Sequence, residues 1–108
     1  MNWINMTPTV RRRAIATGDK LYQMLVELKK GSHLPEHHHV HEQIVHVVKG
    51  RIKLIVMGEP HELGPSESFL LPGDVPHAVD VLEDSLVVDT FSPPREDLIA
   101  QDRAQAKQ

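Results

Sequence analysis

The segment His37-His38-His39-Val40-His41-Glu42-Gln43 places four of the chain's eight histidines within five positions, immediately ahead of the alternating apolar stretch 44–48. Imidazole is the commonest protein ligand for transition metals, so this density beside a predicted strand points to a metal site. In an extended chain the side chains i, i+2 and i+4 share a side, so His37, His39, His41 and Gln43 can face one point, with His38 and Glu42 facing away. A solvated polar loop is the bland alternative. A purification tag is not, because the run lies between Pro35 and a strand and not at a terminus. The chain has no cysteine, so a metal here must be held by nitrogen and oxygen.

A metal needs about four ligands, and one loop cannot surround it, so a distant strand should supply another. His77 is the candidate. It follows Pro72-Gly73-Asp74-Val75-Pro76, where the prolines fix φ and the glycine allows a close approach. Val79 and Val81 continue its face of the strand. Taken alone, His77 reads as a half-exposed histidine at a strand start; beside the first cluster it reads as a ligand. The strand 85–91 holds a second anomaly, because Val87, Asp89 and Phe91 share one face and Leu86, Val88 and Thr90 the other. Asp89 therefore has apolar company on either side, and an aspartate in mid-strand is costly to bury unpaired. Arg95 stands beyond the corner Ser92-Pro93-Pro94, which would fold the chain back over a barrel's mouth. An edge aspartate in water and a surface arginine are the plain alternatives.

Eight prolines and six glycines punctuate short segments rich in valine, isoleucine and leucine, the pattern of an all-β protein. The expected strands are 10–16, 20–29, 43–49, 51–57, 61–63, 68–71, 77–82 and 85–91. Residues 31–42 read as a long polar loop, and 43–57 as a hairpin turning at Lys49-Gly50. Tyr22, Met24 and Met57 read as core, and His46 by parity as outward. Turns recur about every ten residues, which suits a sandwich or barrel and not a βαβ array. The length of 108 residues suits one domain, 1–108, with a barrel at about 10–91 and a polar tail, 92–108, as a short helix or frayed end.

No apolar run approaches the length of a membrane span, and the N-terminal residues lack the apolar core of a signal peptide, so a cytoplasmic protein without a membrane partner is expected. The formal net charge is −3. Its one basic cluster, Arg11-Arg12-Arg13, reads as a solvated strand face or ion-pairing edge, so no nucleic-acid partner is expected.

Together these segments resemble the cupin family. Gly31, His37, His39, Gln43 and Gly50 match its first motif, with glutamine where most cupins carry glutamate. Gly64, Pro72, Gly73 and His77 match the second, with Val81 in place of the usual asparagine. The resemblance implies a small single-domain jelly-roll β-barrel holding a divalent metal (zinc, nickel, manganese or iron) on His37, His39, Gln43 and His77. Three imidazoles and a neutral amide leave the ion's charge uncompensated, which favours a strong Lewis acid and weaker metal retention.

Residues 37–43, as His-x-His-x-His-Glu-Gln, and 89–97, as Asp-x-Phe-Ser-Pro-x-Arg-Glu-Asp, are similar to the pectin-degradation cupins of the KdgF type. That likeness implies a small-molecule carbohydrate acid as partner: an unsaturated monouronate from pectin or alginate breakdown, converted to its open-chain keto form. It implies Asp89 as the proton-transfer residue, Phe91 as a pocket wall, Arg95 as the clamp for the substrate carboxylate, and a homodimer. Val40, His38 and His46 depart from the family pattern. The competing expectations are a ferrous-iron oxygenase acting on a small substrate, and a non-catalytic cupin that binds a small carboxylated ligand.

Overall fold

The structure, a computed structural model, describes residues 2–106; the last two residues of the expected tail lie outside them. Its strands are β1 (Ile4–Thr7), β2 (Val10–Thr17), β3 (Tyr22–Leu28), β4 (His33–His37), β5 (Glu42–Lys49), β6 (Ile52–Val56), β7 (Glu59–Leu63), β8 (Ser68–Leu71), β9 (His77–Val81) and β10 (Ser85–Ser92), followed by helix α1 (Glu96–Ala106). Two antiparallel sheets result, one in the order β1-β2-β3-β10-β5-β8 and the other β4-β9-β6-β7. They face each other as a jelly roll whose sheet edges are not hydrogen-bonded to one another. Alternation explains the burial: Tyr22, Met24, Val26 and Leu28 on β3 point inward, as do Val45 and Val47 on β5.

Several expectations are corrected. The sheet begins at Ile4, not at residue 10, and part of the presumed histidine loop is β4, an edge strand paired with β9. Residues 43–57 are not a hairpin, because β5 and β6 belong to different sheets. Gly50, at φ +90°, carries the chain between them, and a Cβ there would collide with Ser85 and the Asp84 carbonyl. The hairpin is β6–β7, turning on Met57-Gly58 with both residues at positive φ, the twist that suits a two-residue turn. Met57 is accordingly not core but 71% exposed.

The arginine triplet also divides. Arg11 meets Glu27 at 3.1 Å, and Arg11 and Arg13 flank the Trp3 ring. Arg12 shares the inward parity of Val10 and Ala14 and is 1% exposed. The second sheet has only four strands against six, and α1 covers the excess inner face by burying Leu98 and Ile99 and accepting hydrogen bonds from Arg12. Among the described residues no helix is long and apolar enough to cross a membrane.

Candidate metal centre

His37 ends β4 and His77 opens β9, and the two are direct partners across the antiparallel ladder. Their ring centroids lie 4.3 Å apart. His39, in the loop between β4 and β5, brings its ring to 5.8 Å from His37 and 5.3 Å from His77. One ring nitrogen from each of the three falls within 4.8 Å of the others.

Each ring is oriented through Nδ1 by a backbone carbonyl two residues away. His37 reaches Pro35 at 3.1 Å, His39 reaches His41 at 3.0 Å, and His77 reaches Val75 at 2.9 Å. With the Nδ1 protons donated to these carbonyls, all three Nε2 atoms are left as lone pairs, the arrangement by which proteins fix the tautomer of a metal-binding histidine. Nε2 of His77 is buried without any protein partner. Burial holds His39 and His77 below the usual imidazole range, and nearby positive groups, Arg95 among them, push the same way. Neutral rings are what a cation requires, so the residues fit a divalent metal.

The loop that carries His39 is held from outside. The Asp74 amide donates to the His39 carbonyl at 2.7 Å. Gly73 approaches the Val40 carbonyl so closely that a Cβ would have to displace it. The turn 72–76 thus both aims His77 and clamps the loop holding His39. Gln43, buried at the start of β5, sets Oε1 3.1 Å from Nε2 of His39.

Behind these groups lies a cavity of about 300 Å³ between the sheets. Its polar side is formed by His37, Gln43, His77, Asp89 and Arg95, with Phe91 as a wall; Met24, Val26 and Leu54 line its depth. Asp89 faces inward between Val87 and Phe91. The cavity admits water, so Asp89 keeps some exposure, yet protein encloses it. Burial pushes its carboxyl from near 3.8 up to about 7, against the opposing influence of the Gln43 amide and the Arg95 charge. Arg95 lies over the Phe91 ring at 5.0 Å. Its Nε and Nη2 donate to Asp97 at 3.1 and 2.9 Å.

His37, Gln43, His77, Asp89, Phe91 and Arg95 are therefore gathered around one cavity, and His39 joins them through its contacts with His77, Gln43 and Phe91. His41 is not part of the cluster: β4 stops at His37 and β5 starts at Glu42, so strand parity does not run through the intervening turn. Its ring instead packs edge-on to His39 at 5.4 Å and near Phe91 at 6.4 Å. His38 turns outward toward Asp74, and His46 outward to Ser68 at 2.6 Å. Sequence reasoning missed Leu98 and Met6, which also line the cavity. The apolar pair Leu98-Ile99 within an otherwise polar tail was the available signal for the first; Met6 offered none.

A jelly roll with a histidine cluster on its inner face is the architecture of the cupins, and this chain belongs to that family: the cupin domain model matches residues 24–89, more than half of the sequence. Among its relatives is the pectin degradation protein KdgF of Dickeya dadantii (strain 3937), 30% identical over 99 residues that make up 90% of each chain. The fold superposes on the structure of KdgF from a Halomonas species with a TM-score of 0.87 and 34% identity, covering 91% of both chains. A RmlC-like cupin from Shewanella frigidimarina NCIMB 400 gives a TM-score of 0.85 at 28% identity, over 90% of this chain and 87% of that one.

Proposed function

We propose that this cupin is a metal-dependent enzyme that opens unsaturated monouronates, products of pectin or alginate cleavage, to their open-chain keto form. The observation that carries this is Asp89, an inward carboxyl with its pKa pushed up to about 7, sharing one cavity with Arg95 and with His37 and His77 of the three-imidazole cluster. The similarity to the pectin degradation protein KdgF supports the same substrate class.

His37, His39, Gln43 and His77 hold the ion in this proposal; when bound, a divalent metal supplies positive charge that stabilises oxyanions. The reaction is an isomerisation. The anomeric hydroxyl loses its proton, the bond from the anomeric carbon to the ring oxygen breaks, and that oxygen leaves as an enol whose carbon then takes a proton to give the ketone. One proton departs and one returns. A carboxyl that burial holds above the usual carboxylate range can accept the first proton and return the second. Arg95 pairs with the uronate carboxylate through its planar fork, and Phe91 supports the guanidinium from below.

The test follows the ultraviolet absorbance of the unsaturated monouronate. Metal-loaded protein accelerates its decay, and Asp89→Asn removes most of the acceleration. Equal decay with wild type, with the variant and without protein overturns the proposal.

A homodimer and a cytoplasmic setting complete the proposal. Ile44 and Val48 on β5 and Leu70 on β8 are more than two-fifths exposed, and Ile44 and Leu70 are cross-strand partners on the outer face of the large sheet. A second copy laid on this face removes that apolar surface from water. Leu70→Lys should then shift the protein from dimer to monomer in light scattering.

A further inference from the structure

We propose that Arg12, Tyr22 and Asp102 form a buried anchor that fixes helix α1 on the inner face of the large sheet and thereby positions Arg95 at the cavity mouth. The catalytic part of this inference rests on the role proposed above for Arg95; the anchoring part does not.

Arg12 Nη1 donates to Asp102 Oδ1 at 2.8 Å and to the Tyr22 hydroxyl at 3.1 Å. Tyr22 in turn donates to Asp102 Oδ2 at 2.6 Å. Arg12 Nη2 reaches Gln101 Oε1 at 2.9 Å and the Leu98 carbonyl at 3.4 Å. One guanidinium thus engages successive turns of α1 from a strand 90 residues earlier in the chain.

The link to Arg95 is geometric. The Ile99 amide donates to the Arg95 carbonyl at 2.9 Å, so Arg95 is the acceptor that opens the helix. Residues 95, 98 and 102 follow the i, i+3, i+7 spacing of one helical face, with Leu98 lining the cavity and Asp102 held by the anchor. About 10 Å of helix separates the two ends. Little else holds it. Of its eleven residues only Leu98 and Ile99 are buried, and a helix this short is marginal without tertiary support.

A buried ion pair adds little net stability over an apolar substitute of similar volume; what it adds is direction, because a guanidinium fork accepts few orientations of its partners. Arg12, Tyr22 and Asp102 are therefore positioning residues.

The test uses the full chain, metal-loaded, with Asp102→Asn and the paired apolar variant Arg12→Met/Asp102→Leu, which stands in if the first does not fold. In Asp102→Asn, which leaves the guanidinium without its charge partner, α1 amides should exchange about tenfold faster while β3, β5 and β10 keep wild-type protection; the paired apolar variant should keep α1 docked but lose its direction. Arg95 should react faster with phenylglyoxal, as read by mass spectrometry. The KM for the unsaturated monouronate should rise about tenfold with a much smaller change in kcat, and on an Arg95→Ala background the anchor variants should add no further rise. Wild-type Arg95 reactivity in the paired apolar variant overturns the proposal, as does wild-type α1 exchange in a folded Asp102→Asn. So does a rise in KM that persists undiminished on the Arg95→Ala background. A wild-type protein without turnover overturns only the proposed reaction, since the exchange and labelling arms still decide the anchor.

Discussion

Oε1 of Gln43 lies 3.1 Å from Nε2 of His39, within hydrogen-bond reach of that ring nitrogen. Nδ1 of the same ring faces the His41 carbonyl at 3.0 Å, so the single proton of a neutral imidazole can serve only one of these two oxygens. A shared cation relieves this competition. A second proton on His39 is the poorer choice, because burial holds that ring below the usual range. The expected outcome is one divalent ion per chain, lost in His77→Ala and weakened by about ten- to a hundredfold in Gln43→Ala, measured by calorimetry on metal-stripped protein. An unchanged metal content in His77→Ala would rule the site out.

Gln43→Glu should move binding and catalysis in opposite directions. A carboxylate compensates the ion's charge and tightens metal binding, but it also sets an anion beside the enclosed Asp89 and removes the amide whose influence lowers that carboxyl's pKa. We expect metal affinity to rise by about tenfold and turnover to fall by more than that. Asp89→Asn should keep the metal and lose roughly a hundredfold or more in rate. Metal titration and the absorbance assay on the same preparations separate the two effects.

Why the ligands were legible in the sequence and the anchor was not is a matter of range. His37, His39 and Gln43 sit within seven positions, and ligand chemistry shows in residue type alone; His77 was found because its turn dictates its direction. Asp89 stood out because a strand of valines and a phenylalanine rarely carries a carboxylate. Pairing was less visible, since alternation tells which face of a strand is buried but not which strand lies beside it, and so β5 and β6 read as a hairpin. β1, Ile-Asn-Met-Thr, alternates over only four residues, too short a run to announce a strand, and β4, His-Leu-Pro-Glu-His, has no apolar alternation at all. Within Arg11-Arg12-Arg13 only the parity of Val10 and Ala14 marks the buried member, and its partner Asp102 is far along the chain.

Arg95 should govern substrate binding more than turnover. Its guanidinium, mostly covered, meets the Asp97 carboxylate through two of its N–H groups, the geometry a uronate carboxylate would ask of it. Hydrogen bonds to a charged group contribute about 1.5–3 kcal/mol, so Arg95→Ala should raise KM by about ten- to a hundredfold. Asp97→Asn removes a competing anion and should lower KM severalfold. Steady-state kinetics on the two variants provide the check, and identical KM values in both would refute the role.

Tyr22 gives the fold an alkaline limit that can be followed by a single chromophore, since the chain has one tyrosine. Its hydroxyl is buried and donates to Asp102 at 2.6 Å. Desolvation first, then the hydrogen bond and charge of Asp102, hold its pKa well above the ordinary value near 10, with Arg12 opposing. The sign follows. Below about pH 10 the tyrosine is protonated in both folded and unfolded chains, and its contribution to stability is fully present. Above that, the unfolded chain releases the proton while the folded chain retains it, so stability falls as pH climbs toward the folded pKa. Tyrosinate absorbance should therefore stay flat through pH 10 and appear only together with loss of the β circular-dichroism signal. Tyr22→Phe, which costs about 1 kcal/mol at neutral pH, should remove this part of the alkaline loss. A smooth titration near pH 10 in protein that remains folded would show that the hydroxyl reaches water and that the Arg12–Tyr22–Asp102 cluster is open.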